Sequence, residues 1–353
     1  MAKKPIKAFD ALQEAHKIAF APFIFQTTVS LRNLGVFDFI FDNNTKGGVT
    51  IEEISKGTSV SEYGLGVLLE LAESSDIVSK DEAGRYELTK IGYFLSYDNT
   101  VSANINFTQD VCYQGIYHMQ EAIETGKPSG LKELGDWPTI YEGLSQLTPN
   151  EQKSWFEFDH IYSDGIFAEA LETVLEKKPK LIYDIGGNTG KFSIQCCSKD
   201  ENVAIHIFDL PGQLNKALKN AKNNGFEKRI TGTEIDWLSD NPTIPPGADT
   251  IWMSQFLDCF SKDEILKILK IAVSAMDSET ELIIVETFTD RQKFSSAKLT
   301  LEATSLYFTA LANGNSKMYS SEDFKILVEA AGMTLEVDKK LGEFHTMFVC
   351  KKK

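Results

Sequence analysis

Cysteine is scarce and poorly arranged for structural work. Its five positions, Cys112, Cys196, Cys197, Cys259 and Cys350, are odd in number, include no C-x-x-C pair and offer no metal-binding spacing. This argues against a disulfide framework or a resident metal and predicts a reducing compartment, the cytoplasm. Positive charge is also short, with 36 Lys and Arg against 51 Asp and Glu and a formal net charge of −15. Only the tail of lysines at 351–353 runs the other way, so neither nucleic acid nor an anionic membrane surface is an expected partner. The apolar patch at residues 18–25 is too short for a membrane span, is bounded by His16, Lys17 and Arg32, and lacks a small-residue cleavage site. What is present is 353 residues with 42% hydrophobic content, enough for two packed domains.

The most informative stretch is LIYDIGGNTGK at residues 181–191. Its first half is a short apolar run ending in an acid, as in a strand buried in a parallel sheet. In its second half, Gly186, Gly187 and Gly190 permit backbone angles that side chains forbid, and Asn188 is among the few other residues that tolerate positive φ. Such a turn presents backbone N–H groups to a nucleotide-type cofactor beyond the carboxyl end of a strand. The dinucleotide fingerprint G-x-G-x-x-G is missing, because Asn188 stands where its second Gly belongs, which argues against a pyrophosphate ligand. About twenty residues on, the run at 203–208 leads into Asp209-Leu210-Pro211, placing Asp209 where an acid accepts ribose hydroxyls. These residues alone leave open any nucleotide-binding α/β domain.

Taken together, D-x-G-G-x-T-G at 184–190 followed by F-D-L-P at 208–211 resembles the S-adenosylmethionine-dependent O-methyltransferases that include the plant caffeate and flavonoid enzymes, the acetylserotonin enzyme and many bacterial natural-product enzymes. The resemblance covers nearly the whole chain. It implies an α/β protein, a doubly wound methyltransferase-type Rossmann sheet with an N-terminal all-α winged-helix dimerisation domain. It also implies a homodimer that needs no metal and acts on a small aromatic or polyketide-like hydroxyl compound. Cofactor contacts are implied for Asp184, Gly186, Gly187 and Asn188 in the turn, Asp209 and Leu210 on the ribose side, Asp236 and Trp237 at the adenine, and Ser254 and Gln255 after the fourth strand.

In chain order, apolar residues recur at helical spacing from Ala8 to Phe41, which fits either helices interlocked with a second subunit or an ordinary core pair. Residues 50–95 read as a winged helix, with an N-cap at Thr50, acids behind it and a hairpin turning at Ala83-Gly84. Its would-be recognition helix carries Glu62, Glu70 and Glu73 without Lys or Arg, which sets DNA binding aside. The expected domains are 1–100 for dimerisation, 101–178 as a helical connector, and 179–353 for the cofactor. The aromatic-rich connector is more often core than pocket. The resemblance nevertheless implies substrate contacts for Tyr113, Trp137, Phe158, Asp159 and Tyr162, joined by Tyr307. Strands are expected at 231–237, 248–253 and 281–286, with a closing antiparallel hairpin at 334–337 and 346–350.

The catalytic pattern breaks in four places. The family's L-H-D-W segment aligns with Leu257-Asp258-Cys259-Phe260, so Asp258 replaces the proton-accepting His and Cys259 the following Asp. A Glu that orients that His aligns with Met318, and a lysine before it with Ser254, while its companion acid survives as Glu286. Asp258 is either the base or a cap for the helix beginning near Ser261. His160 is the rival base, His118 has less positional support, and His206 reads as a structural residue in a strand. Glu286 either orients a catalytic group or is a strand-end acid bonded to backbone. Two other functions stay open: different chemistry with the same cofactor, such as hydroxylation or decarboxylation, and a catalytically silent cofactor-binding subunit.

Overall fold

Backbone punctuation divides the N-terminal helical pattern into three. In the computed structural model, which describes residues 6–44 and 47–353, helices run Ala8–Ala19, Ala21–Asn33 and Val36–Asn43. Pro22, which lacks an N–H and so suits a first turn, starts the second, and Gly35 at φ +70° allows the bend into the third. Thr50 accepts the backbone N–H of Glu53, and the Glu53 carboxylate accepts that of Thr50, a reciprocal cap that opens helix Ile51–Thr58. Helix Glu62–Ser74 and an antiparallel hairpin, β1 (Val78–Lys80) with β2 (Tyr86–Leu88), complete the winged-helix pattern, and Gly84 turns at φ +76°. Leu31, Phe37, Ile40, Ile54, Leu65 and Leu69 form its core. Helix Ala8–Ala19 buries none of its residues in this chain.

The chain divides into two compact units, Met1–Gln109 and Asp110–Lys353. In the second, helices including Pro149–Ser163 and Phe167–Glu176 lead into a seven-stranded sheet. Its strands are β3 (Leu181–Ile185), β4 (Ala204–Asp209), β5 (Ile230–Glu234), β6 (Thr250–Ser254), β7 (Glu281–Glu286), β8 (Met333–Leu341) and β9 (His345–Lys352). Their spatial order is β5-β4-β3-β6-β7-β9-β8, with the first five parallel and β9 antiparallel to both of its neighbours. β5 stops at Glu234, short of the expected end at Asp236-Trp237, because Asp236 turns the chain by accepting the backbone N–H of Leu238.

Both faces of the sheet are covered, as near-continuous apolar strands require. Ile182, Ile205, Ile207 and Trp252 pack on one side, with Phe192 stacked on Trp252 at 4.2 Å, while Ile185, Phe208, Met253 and Ile284 fill the other. Each such side chain contributes about 1.5–3 kcal/mol by leaving water. Strand order reverses between β3 and β6, and a crevice opens beyond the carboxyl ends of strands at such a point. Among the described residues no helix is long and apolar enough to cross a membrane.

Candidate active site

The turn after β3 is shaped by contacts that leave no room for larger residues. Gly186 has φ +69°, and a Cβ there would lie 2.3 Å from the Phe256 ring. Asn188 itself adopts φ +50°. Its backbone N–H donates to Asp209 Oδ2 at 2.7 Å, and Asp209 Oδ1 accepts the N–H of Leu210 at 2.7 Å. The end of β4 therefore clamps the turn, and each carboxylate oxygen keeps a lone pair for a ligand. Burial pushes the Asp209 carboxyl up to about 6 against the opposing effect of those two N–H groups. Asp184, only 2% exposed, accepts the hydroxyl of Ser193 at 2.6 Å, and burial pushes it up to about 7.

Beside the turn lies a chamber of about 370 Å³. Gly186, Asn188, Asp209, Leu210, Asp236, Trp237 and Gln255 line it on the side of the turn. A smaller recess of about 60 Å³ shares Asp159, Gly186, Asn188 and Gln255 and adds Asp184, Gly187 and Ser254. Asn188 Oδ1 and Ser254 Oγ in the recess, and Trp237 Nε1 at the chamber, are buried without protein hydrogen-bond partners. Buried polar atoms of that kind call for a ligand with polar groups of its own. Donors and acceptors spread between an acid able to take two hydroxyls and an indole fit S-adenosylmethionine, with its ribose, base and amino-acid ends. Gln255, at φ +46°, takes a hydrogen bond on Oε1 from His345 Nε2 at 3.1 Å.

The other half of the chamber carries the candidate chemistry. Asp258, 5% exposed, sits in the short turn Leu257–Cys259 after β6 and lines the chamber, with Cys259 Sγ donating to its Oδ1 at 3.6 Å. Burial, with the Asp159 charge nearby, raises its carboxyl well above the ordinary range. It does not cap the following helix, an alternative the sequence had left open. Ser261 fills that position, accepting the N–H of Glu264 and donating its own N–H to Glu264 Oε2 at 2.8 Å. Glu286, 1% exposed, accepts the N–H groups of Phe256 and Leu257 on Oε1, at 3.2 and 3.0 Å. Burial, then the charge of Asp258, holds it well above the usual carboxylate range.

Helix Pro149–Ser163 brings Phe158, Asp159 and Tyr162 to the chamber, with Asp159 Oδ2 taking a hydrogen bond from Asn188 Nδ2 at 3.0 Å. Tyr307 lines it too, its hydroxyl accepting Trp155 Nε1–H at 2.9 Å. Two expected substrate residues fall outside the lining of this chamber. Trp137 is boxed by its own turn, since a Cβ on either Gly135 or Gly143 would lie 2.2 Å from its ring, and it does not line the chamber. Tyr113, just beyond the π-helical turn Thr108–Cys112, does not line it either. His160 faces the small recess, stacked on Phe156 at 5.9 Å with its Nδ1 3.7 Å from Asp159 Oδ2. His118 pairs with Glu133 at 2.9 Å and His206 with Thr231 and Thr233, both away from the chamber.

Sequence reading did not single out Phe256, Leu301, Thr304 or Phe308, all of which line the chamber. The last three share one face of the segment 295–312 with Tyr307, a helical spacing visible in the sequence once Tyr307 is chosen. Met318, standing where the family has an acid, lines the chamber with its sulfur 3.9 Å from Thr287 Oγ1.

Comparison with known proteins agrees with this geometry. The O-methyltransferase domain family matches residues 148–334, and the Dimerisation2-like domain family matches residues 13–86. The chain is 22% identical to 3-amino-4-hydroxybenzoate 4-O-methyltransferase of Streptomyces cremeus over 80% of its length and 75% of the relative's. It is 24% identical to columbamine O-methyltransferase of Coptis japonica, over 79% and 81%. Among solved structures, mitomycin 7-O-methyltransferase superposes with a TM-score of 0.74 at 17% identity, covering 98% of both chains. Human N-acetylserotonin methyltransferase, solved with S-adenosylmethionine, superposes with a TM-score of 0.68 at 18% identity, covering 100% of this chain and 99% of that one. With the domain match extending over more than half its length, the chain belongs to the O-methyltransferase family and is an enzyme that uses S-adenosylmethionine.

Proposed function

We propose that this enzyme methylates a hydroxyl of a small aromatic or polyketide-like compound, works as a homodimer in the cytoplasm, and uses Asp258 as its base. When bound, S-adenosylmethionine supplies a methyl group on an electrophilic sulfonium. In this reading Asp209 accepts the ribose hydroxyls, Leu210 packs beside the ribose, and Asp236 and Trp237 meet the adenine. Asp184, the Gly186 to Asn188 backbone, Ser254 and Gln255 serve the amino-acid end. The aromatic walls hold the acceptor and keep water out, and alignment of this kind contributes on the order of 7–11 kcal/mol to such displacements.

One observation carries the reading: Asp258 is 5% exposed and opens onto an aromatic chamber that is continuous with the turn clamped by Asp209. An exposed Asp is a poor base for a phenol, but burial lifts this one toward neutral pH, where general bases work best. Relatives named for a hydroxybenzoate and a hydroxynaphthoate support an aromatic acceptor. The homodimer is supported by the apolar surface of the N-terminal helices, where Phe9 and Ile18 are each 76% exposed and Phe23 65%. Mass spectrometry with methyl-labelled S-adenosylmethionine and a panel of phenols and carboxylic acids tests the proposal. Label is expected on a phenolic oxygen, and label found solely on carboxylates or absent from every acceptor overturns it.

A further inference from the structure

His345 is the first residue of β9, is 3% exposed, and lies beyond the stretch at 148–334 that matches the O-methyltransferase domain family. Its ring reaches past β7 to Gln255, the residue that follows β6 and stands 90 positions earlier in the chain. Gln255 Oε1 can only accept, so the Nε2 that faces it at 3.1 Å carries the ring hydrogen, and Nδ1, buried without a partner, is left as a bare acceptor. Burial pushes the ring down to about 4, which keeps it in this neutral form near neutral pH. The backbone holds Gln255 a second time, its N–H donating to the Val285 carbonyl at 2.9 Å, and the residue takes a left-handed φ of +46°. A side-chain-bearing residue keeps such a conformation where its surroundings enforce it, and positions of this kind cluster at ligand sites.

With Oε1 taken by His345, the amide nitrogen of Gln255 keeps two N–H donors that have no partner among the described residues. Gln255 lines both the chamber and the recess. Ser254 Oγ, buried beside it in the recess without a partner, adds another donor, and Asn188 Oδ1 on the glycine turn is an unpartnered acceptor. Donors after β6 and an acceptor on the turn match the two groups of an amino acid, a carboxylate at the first and an ammonium at the second. We infer that His345 is a positioning residue for the cofactor: by occupying Gln255 Oε1 it turns the amide N–H groups toward the carboxylate at the amino-acid end of S-adenosylmethionine. The inference rests on the reading of this recess as the seat of that end. Without the His345 N–H the amide is free to rotate and to present its oxygen, which repels a carboxylate.

The test is titration calorimetry on the full-length protein with two probes, S-adenosylhomocysteine and S-adenosyl-3-thiopropylamine, which is the same molecule without its carboxylate. His345→Phe removes the ring N–H and should weaken S-adenosylhomocysteine by about tenfold while the decarboxylated probe stays within about twofold. His345→Gln, which keeps an N–H donor at a similar reach, should restore most of the loss. Gln255→Leu should show the same selective weakening, and adding His345→Phe to it should change nothing further, as expected of a residue that acts through another. His345→Asn, whose amide stops short of Gln255, makes the same comparison should the Phe variant not fold. Unchanged S-adenosylhomocysteine affinity in the His345 variants, equal weakening of both probes, or a full second loss in the double variant overturns the inference. A parent protein that binds both probes equally also overturns it and leaves the cofactor reading intact, whereas one that binds neither removes the cofactor reading itself.

Discussion

Glu286 Oε1 accepts the backbone N–H of Leu257 at 3.0 Å, which ties the residue before Asp258 to the end of β7. A second bond from Phe256 N–H, at 3.2 Å, reinforces it. The acid therefore acts on the loop through its acceptor oxygen. Glu286→Gln keeps such an oxygen, and turnover should stay within about tenfold of the parent. Glu286→Ala strands two buried N–H groups, at about 1–3 kcal/mol each. Thermal unfolding and turnover should fall together in the Ala variant, and equal damage from Gln and Ala would show that the charge matters more than the anchor.

Asp258→Asn preserves shape and removes basicity. Turnover should fall by roughly 10²–10⁴ while S-adenosylhomocysteine affinity stays nearly constant. His160 faces the small recess beside Asp159, so His160→Gln should have the lesser effect on the chemical step. Single-turnover rates of both variants on one identified acceptor decide between them, and a full-rate Asp258→Asn enzyme would falsify the assignment.

Asp209 both clamps the turn and lines the chamber beside it. Asp209→Ala should weaken S-adenosylhomocysteine binding by on the order of 1.5–3 kcal/mol, about ten- to a hundred-fold, as expected for lost charge-assisted hydrogen bonds. Titration calorimetry measures this directly. Unchanged affinity would mean that the ribose lies elsewhere.

The Asp184 carboxyl is raised from its ordinary 3.8 to about 7 by burial, only partly opposed by the Ser193 hydroxyl. The native state thus holds this proton more tightly than the unfolded chain, and stability is lost as pH rises from 3.8 to about 7. The loss is complete above that window and is on the order of 4 kcal/mol. Asp184→Asn cannot ionise, so the difference in Tm between variant and parent should move in the variant's favour as pH climbs from 4 to 7. A difference that stays flat across the window rules the effect out.

Phe9 and Phe23 project from helices Ala8–Ala19 and Ala21–Asn33 and are mostly exposed in the single chain. The pair Phe9→Glu and Phe23→Glu should convert a dimer to monomer, because charges cannot be buried unpaired in an apolar interface. Light scattering at micromolar concentration reads the outcome. A monomeric parent protein removes the basis for the proposal.

Much of the scaffold was legible in local patterns. β7 spans the expected Glu281–Glu286, Thr50 caps its helix, and the turn between Asp184 and Gly190 has its left-handed positions at Gly186, Asn188 and Gly190. Apolar runs, capping residues and glycines act over a few neighbours, so their physics is written in consecutive residues. The end of β5 was misplaced because the side chain of Asp236 competes for the backbone of Leu238, a contest that apolar alternation does not register.

The site was legible only in part, for a different reason. Composition and motif were enough for the fold class, the family and the backbone conformation of the glycine turn after β3. Whether a given side chain reaches the chamber depends on how far each helix is rotated in its packing, which faced Tyr162 and Tyr307 inward, boxed Trp137 and turned His160 to the recess. The charge of the chamber depends on the same packing. Asp159, Asp258 and Glu286 come from distant stretches and meet only when the sheet and its helices close. Burial and proximity set their protonation, and both are properties of the folded chain rather than of any short run of residues.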